Sequence, residues 1–242
     1  MKVFVCLDNS SIYFAFKPLL EKLELDELQF FCGLSSKAIF SDEIMAGEIL
    51  PLNIAENHLN LLNYDLGLSC HSKQIFPGEL VTKVRCINIH PGFNPYNRGW
   101  FPQVFSLINN LPAGVTIHEM DEEIDHGPII VQEEIGIHDW DTSLSVYCRL
   151  LRLEKDLFRD WLPRLISGRY TVHKPIVEGN TDGKNDFNGL CKIDLNKTVT
   201  YREAIAYLRA MSHPPHFNAY FESSEGKVFV RLETSHETTE NV

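Results

Sequence analysis

Asn88, His90 and Asp125 put an amide, an imidazole and a carboxylate into one chain at a spacing that suits acyl chemistry. Asn88 and His90 stand two apart in Val84-Arg85-Cys86-Ile87-Asn88-Ile89-His90, a run with strand character. Both side chains therefore face the same side, where one ligand could meet both. Asp125 follows inside His118-Glu119-Met120-Asp121-Glu122-Glu123-Ile124-Asp125-His126-Gly127-Pro128-Ile129. Moving an acyl unit onto an amine needs these three group types. An amide N–H can meet the developing oxyanion, an imidazole can carry protons, and a carboxylate can orient or charge the imidazole. Taken singly each has an ordinary explanation: Asn88 at a strand end, His90 half buried, Asp125 capping a turn. Together they do not, because two polar side chains on one face of an apolar strand are costly in a core unless each finds a partner.

The elements that must hold these residues follow from the apolar pattern. Residues 3–7 form a buried first strand, residues 10–23 a helix interrupted at Pro18, and residues 28–34 a second strand. Strands alternating with helices imply parallel pairing through right-handed crossovers, with ligands at the carboxyl ends of the strands, where Asn88 and His90 lie. Phe101, Val104, Phe105 and Ile108 recur at helical spacing after the loop 91–102, and Asp125 falls between strands at 114–118 and 129–131. A long helix spans 143–166, with Asp141, Thr142 and Ser143 as candidate caps, Gly168 as its stop and Pro163 as a kink or early end. Glycine, asparagine and aspartate dominate 179–189, which reads as a linker after a main domain over 1–178. The unit 190–234 carries a capping box at Thr200-Tyr201-Arg202-Glu203, a helix over 204–211, the turn His213-Pro214-Pro215-His216 and a hairpin around Ser223-Ser224-Glu225-Gly226. It is too small to stand alone and should dock on the main domain or pair across a dimer. Residues 235–242 read as a frayed end.

The 242 residues and 44% hydrophobic content allow one large core, and a formal charge of −11 argues against a partner held by broad phosphate neutralisation, hence against nucleic acid. Six scattered cysteines without a CxxC pair suit a reducing cytoplasm. No run is long enough to span a bilayer, and Asp8 and Asn9 interrupt the apolar start too early for a signal peptide. The ten histidines form neither HExxH nor a close His/Cys cluster, so no metal is expected.

Asn88-Ile89-His90-Pro91-Gly92, Tyr96-Asn97-Arg98-Gly99 and the stretch from Gly114-Val115-Thr116-Ile117-His118 through Asp125-His126-Gly127-Pro128-Ile129 resemble the core of the folate-dependent N-formyltransferases. The resemblance runs from about residue 60 to 150 and returns at Ile193-Asp194 and Pro214-Pro215. It implies an α/β fold, a Rossmann-like formyltransferase core with a mostly parallel sheet, plus the small C-terminal helix and hairpin. It also implies 10-formyltetrahydrofolate as formyl donor, Asn88, His90 and Asp125 as the catalytic set, and a folate site walled by Phe76, Pro77, Gly78, Leu80, Val81, Met120, Asp121 and Asp125.

The length, the Asn94 to Trp100 loop and the C-terminal unit look most like the sugar N-formyltransferases, which act on nucleotide-linked amino sugars for bacterial surface polysaccharide such as O-antigen. That likeness implies a dTDP-linked 4-amino-4,6-dideoxy hexose, dTDP-4-amino-4,6-dideoxyglucose first, with the 3-amino isomer or a GDP-linked sugar next. Asn9, Ser10, Asn94, Tyr96, Arg98 and Gly99 are the candidate acceptor contacts, and a homodimer through the C-terminal unit is expected. Methionyl-tRNA formyl transfer and formyltetrahydrofolate hydrolysis stand as alternatives. The short acidic tail disfavours tRNA, and the missing regulatory segment disfavours the hydrolase.

Overall fold

A computed structural model of the chain describes residues 1–237. Its centre is a seven-stranded sheet in the order β3-β2-β1-β4-β5-β7-β8. Strand β1 (Lys2–Leu7) is buried from Val3 to Leu7, as a strand covered on both faces must be. Helix α1 (Ser10–Leu20) crosses to β2 (Glu27–Cys32), and α2 (Ser41–Met45) leads into the edge strand β3 (Ile49–Pro51). The chain then returns past β1 through α3 (Ile54–Asn57) to β4 (Leu66–Cys70) and through α4 (Gly78–Lys83) to β5 (Arg85–His90). These five strands are parallel. The order reverses between β1 and β4, and at that switch point the carboxyl ends of neighbouring strands open a crevice.

Past β5 the sheet turns antiparallel. A two-residue strand β6 (Arg98–Gly99) and helix α5 (Pro102–Asn109) precede β7 (Ala113–Glu119), which pairs with both β5 and β8 (Ile129–Ile135). The sheet is thus mostly parallel, as the strand–helix alternation implies. The antiparallel β5–β7 register sets Asn88 opposite His118 and His90 opposite Thr116.

Helix α6 (Ser143–Ser167) begins at the Thr142 cap and ends at Gly168, whose φ of 69° suits glycine. Pro163 does not end it: the helix runs on to Ser167, with Leu162 and Leu165 buried to either side. Its apolar stripe packs on α1, where the Phe16 and Phe158 rings stack at 3.7 Å. Helix α1 itself ends at Leu20 rather than at residue 23.

The 179–189 segment is ordered into β9 (Thr181–Asp182) and the start of α7 (Lys184–Leu190). Its turn residues are used for fixing the chain: Asn180 donates to Pro95 and accepts from the Arg98 amide, and Phe187 meets Phe101 at 4.2 Å between centroids. Composition marked a loop where these residues serve as side-chain and backbone clasps. The C-terminal unit holds α8 (Tyr201–Met211), the small ribbon β10 (Ser212–His213) with β11 (His216–Phe217), and the hairpin β12 (Ala219–Ser223) with β13 (Gly226–Val230). Ala210, Met211 and Ala219 join the main core, so this unit is docked. Of the expected frayed end, 238–242 lies outside the described residues.

Candidate active site

Asp125 is the hub of the site. Its Oδ1 accepts from Asn88 Nδ2 at 2.7 Å, and its Oδ2 accepts from the Gly99 amide at 2.9 Å and lies 3.5 Å from His90 Nδ1. The backbone there has φ 49°, a left-handed conformation that aspartate tolerates better than most residues, and Asn94 Nδ2 donates to the Asp125 carbonyl at 2.7 Å. The β7–β8 loop is thereby turned inward, toward the carboxyl end of β5. Burial by itself pushes the Asp125 carboxyl up, but His90, His118 and the Gly99 amide outweigh it and hold the group well below the usual carboxylate range.

His90 is 5% exposed, and burial pushes its pKa below the ordinary imidazole value against the pull of Asp125. The imidazole is therefore neutral at neutral pH in the free protein. With Nδ1 toward Asp125, its Nε2 carries the lone pair, and this nitrogen is buried without any hydrogen-bond partner among the described residues. A buried nitrogen of this kind is costly unless a ligand meets it. Gly92 leaves room for the ring, since a Cβ there would stand 2.2 Å from Nε2.

His118 completes the cluster. Its Nδ1 lies 2.7 Å from the Glu119 carbonyl and must be the protonated nitrogen, so Nε2 offers a lone pair to Asn88 Nδ2 at 3.4 Å. One Asn88 N–H is thus committed to Asp125, and the other makes a long contact that a stronger acceptor could take over. A neutral base, a fixed carboxylate and an amide donor converge on one point. The arrangement can accept a proton, stabilise the imidazolium that results and donate to a developing oxyanion.

These groups open on a cavity of about 890 Å³ with two unlike walls. Phe76, Met120 and the carboxylates of Asp121, Glu122 and Glu123 form one, and the β7–β8 loop is held so close to α4 that a Cβ at Gly78 would lie 3.1 Å from Glu122 Oε1. The other is built around Tyr147 of α6. Its hydroxyl accepts from Asn9 Nδ2 at 3.0 Å, and its ring lies near His71 and His213. His213 Nδ1 in turn meets Ser143 Oγ at 3.0 Å, which brings the C-terminal unit into the wall with His216 and Asn218.

Of the residues singled out from sequence, Asn88, His90, Asp125, Phe76, Met120, Asp121, Asn9 and Gly99 line this cavity. Pro77 and Gly78 start α4 at its edge, Leu80 is fully buried, and Val81 packs with it in the second core cluster. Ser10 opens α1, half-buried, and does not line the cavity. Asn94 is buried as a clasp, its amide donating to Thr116 Oγ1 and its carbonyl accepting from Gln132. Arg98 is buried and paired with Glu178 at 3.0 Å, and Tyr96 is half buried; neither lines the cavity. Sequence reasoning passed over His71, Lys73, Gln103, Tyr147, Glu154, His213 and His216. Glu154 carried a signal, since it continues the apolar stripe Val146, Leu150, Leu157 of α6, where a carboxylate has no place without a partner.

Residues 52–162 match the formyl transferase family, and residues 186–236 match the N-formyltransferase dimerization C-terminal domain. The chain is 51% identical over 170 residues, 70% of its length and 73% of the relative's, to dTDP-4-amino-4,6-dideoxyglucose formyltransferase of Mycobacterium bovis. Its fold matches a 4-N formyltransferase from Francisella tularensis with a TM-score of 0.93 and 49% identity, covering 98% of each chain. A formyltransferase from Anoxybacillus kamchatkensis, solved with UDP-4,6-dideoxy-4-formamido-L-AltNAc and tetrahydrofolate, matches with a TM-score of 0.61 and 25% identity over 78% of this chain and 89% of that one.

Proposed function

The chain belongs to the formyl transferase family and is a formyl-transferring enzyme, and on that premise we propose that its acceptor is the primary amine of dTDP-4-amino-4,6-dideoxyglucose. The donor is 10-formyltetrahydrofolate. The residues present fit a folate: the cavity has the size, Phe76 and Met120 offer apolar faces, and the orphaned His90 Nε2 needs a partner. Phe76, Met120 and Asp121 would hold the pteridine side, and the acceptor would take the Tyr147 side. When bound, the folate supplies an activated formyl carbon.

The geometry supports a role for each of this chain's residues. Asn88 turns its second N–H to the formyl oxygen as negative charge develops there. His90 Nε2, neutral before reaction, takes the proton of the attacking nitrogen and returns it to the departing one. Asp125, ionised throughout, holds the imidazole and balances its transient charge. The convergence of Asn88, His90 and Asp125 where two unlike walls meet carries this reading.

The formal charge of −11 supports a small acceptor over tRNA, and the Mycobacterium bovis relative supports the dTDP-linked 4-amine over the 3-amino and GDP-linked choices. Such products belong to surface polysaccharide synthesis. Among the described residues no helix is long and apolar enough to cross a membrane, and all six cysteines are free, which supports work in the cytoplasm. A homodimer through the C-terminal unit is supported by its exposed Tyr201, Ile205, Phe217 and Phe229. The test is to measure kcat/KM with 10-formyltetrahydrofolate and each acceptor in turn. The dTDP-4-amino sugar should be formylated best. Preference for a GDP-linked or 3-amino sugar would overturn the acceptor, and formate release independent of any acceptor would make the enzyme a hydrolase.

A further inference from the structure

One buried histidine–carboxyl contact plays no part in the chemistry above. His71 ends the β4 crossing at φ 55°, and its Nε2 lies 2.6 Å from Glu154 Oε2 on α6. Glu154 is 0% exposed, its other oxygen has no partner among the described residues, and burial pushes its carboxyl up. A carboxylate placed wholly inside a protein is expensive and is tolerated where it neutralises a cation. Its partner is a histidine that lines the cavity, and the clamp at Nε2 leaves Nδ1 as the free ring nitrogen, with no hydrogen-bond partner among the described residues.

The surroundings say what this nitrogen would meet. The carboxylates of Asp121, Glu122 and Glu123 stand on the Met120 wall, whereas His71, His213 and His216 stand with Tyr147 on the other. Lys73, the one lysine or arginine among the described lining residues, comes two residues after His71. Asp8 also lines this side, but its two carboxylate oxygens are taken by the Gly33 and Lys73 backbone N–H groups, so in a chain with 33 acidic and 22 basic residues Lys73 and His71 make this side more favourable to an anion than the Met120 wall. The acceptor read above carries its negative charge on the diphosphate.

Resting on that reading, we propose that His71 anchors the acceptor's diphosphate through Nδ1–H, and that Glu154 is a positioning residue that clamps the ring and balances its charge. The buried carboxylate stabilises the imidazolium when an anionic oxygen approaches the far nitrogen, and so makes a charge-assisted hydrogen bond. Such a bond contributes roughly ten-fold or more in affinity.

The test uses the full chain, with dTDP and thymidine as probes by calorimetry or competition, beside steady-state kinetics. His71→Asn is expected to weaken dTDP about ten-fold or more, leave thymidine unchanged, and raise the acceptor KM with a smaller effect on kcat and none on the folate KM. Glu154→Gln, which keeps the shape and removes the charge, should move the same quantities in the same direction. Wild-type dTDP affinity in His71→Asn, or an equal loss for thymidine, overturns the proposal, and this variant decides alone if Glu154→Gln fails to fold. A wild-type enzyme that neither binds dTDP nor formylates the sugar nucleotide would instead overturn the acceptor reading beneath it.

Discussion

At the scale of single residues the site is a balance between burial and charge. His90 is kept neutral by burial while the neighbouring Asp125 is kept ionised by the groups around it. With His90 as the proposed proton acceptor, which must be unprotonated to act, kcat/KM should be level through neutrality and fall on acidification at a pH below the ordinary imidazole value of about 6.5. Asp125→Asn removes the carboxylate that raises the His90 pKa, so the acid limb should move lower still while kcat drops. A pH–rate profile of both proteins checks this, and a limb that moves upward would contradict it. His90→Asn should lose about 10²- to 10⁴-fold in kcat with folate binding retained. Gly92→Ala forces the same ring aside from a Cβ 2.2 Å away and should also depress kcat, while the melting temperature changes little. Asn88, His90 and Asp125 were legible because their types sit badly in an apolar strand or a plain turn. His118 was not, since only the antiparallel register opposite Asn88 gives it a role.

At the scale of elements the site depends on how α6 is held. Its first residues carry Ser143 and Tyr147 to the cavity, and Phe158 further along stacks on Phe16 of α1. Phe16→Ala should cost about 3–5 kcal/mol in denaturant unfolding, because the cavity lies between two packed helices. Thr142→Ala removes the cap bonded to the Ser145 amide and should cost about 1 kcal/mol, a fall of roughly 2–4 °C in melting temperature. Strands and long helices were legible from period alone. The antiparallel turn at β7 was not, for alternation does not carry direction, nor was the order in 179–189, whose glycine and asparagine work as clasps on the 94–99 loop. Arg98, chosen as an acceptor contact for its charge, is itself buried and pairs with the exposed Glu178, a long-range contact that local sequence does not carry.

At the scale of the whole molecule, the parallel half supplies the crevice, the antiparallel half supplies Asp125, and the C-terminal unit closes the far wall with His213 and His216. That unit also exposes Phe217 and Phe229, at 55% and 50% of their surfaces. Sedimentation should find a dimer, and Phe229→Asp should shift it to monomer without unfolding the core; a wild-type monomer would contradict the pairing. In the proposed reaction formyl passes from folate to a sugar amine at His90. The direct measurement is to supply 10-formyltetrahydrofolate labelled with carbon-13 in the formyl group, together with dTDP-4-amino-4,6-dideoxyglucose, and to follow the label by NMR with wild-type and His90→Asn protein. The label should enter a formamide on the sugar with the wild type and stay on the folate with the variant. Label appearing as formate, or reaching the sugar as fast without His90, would contradict the account.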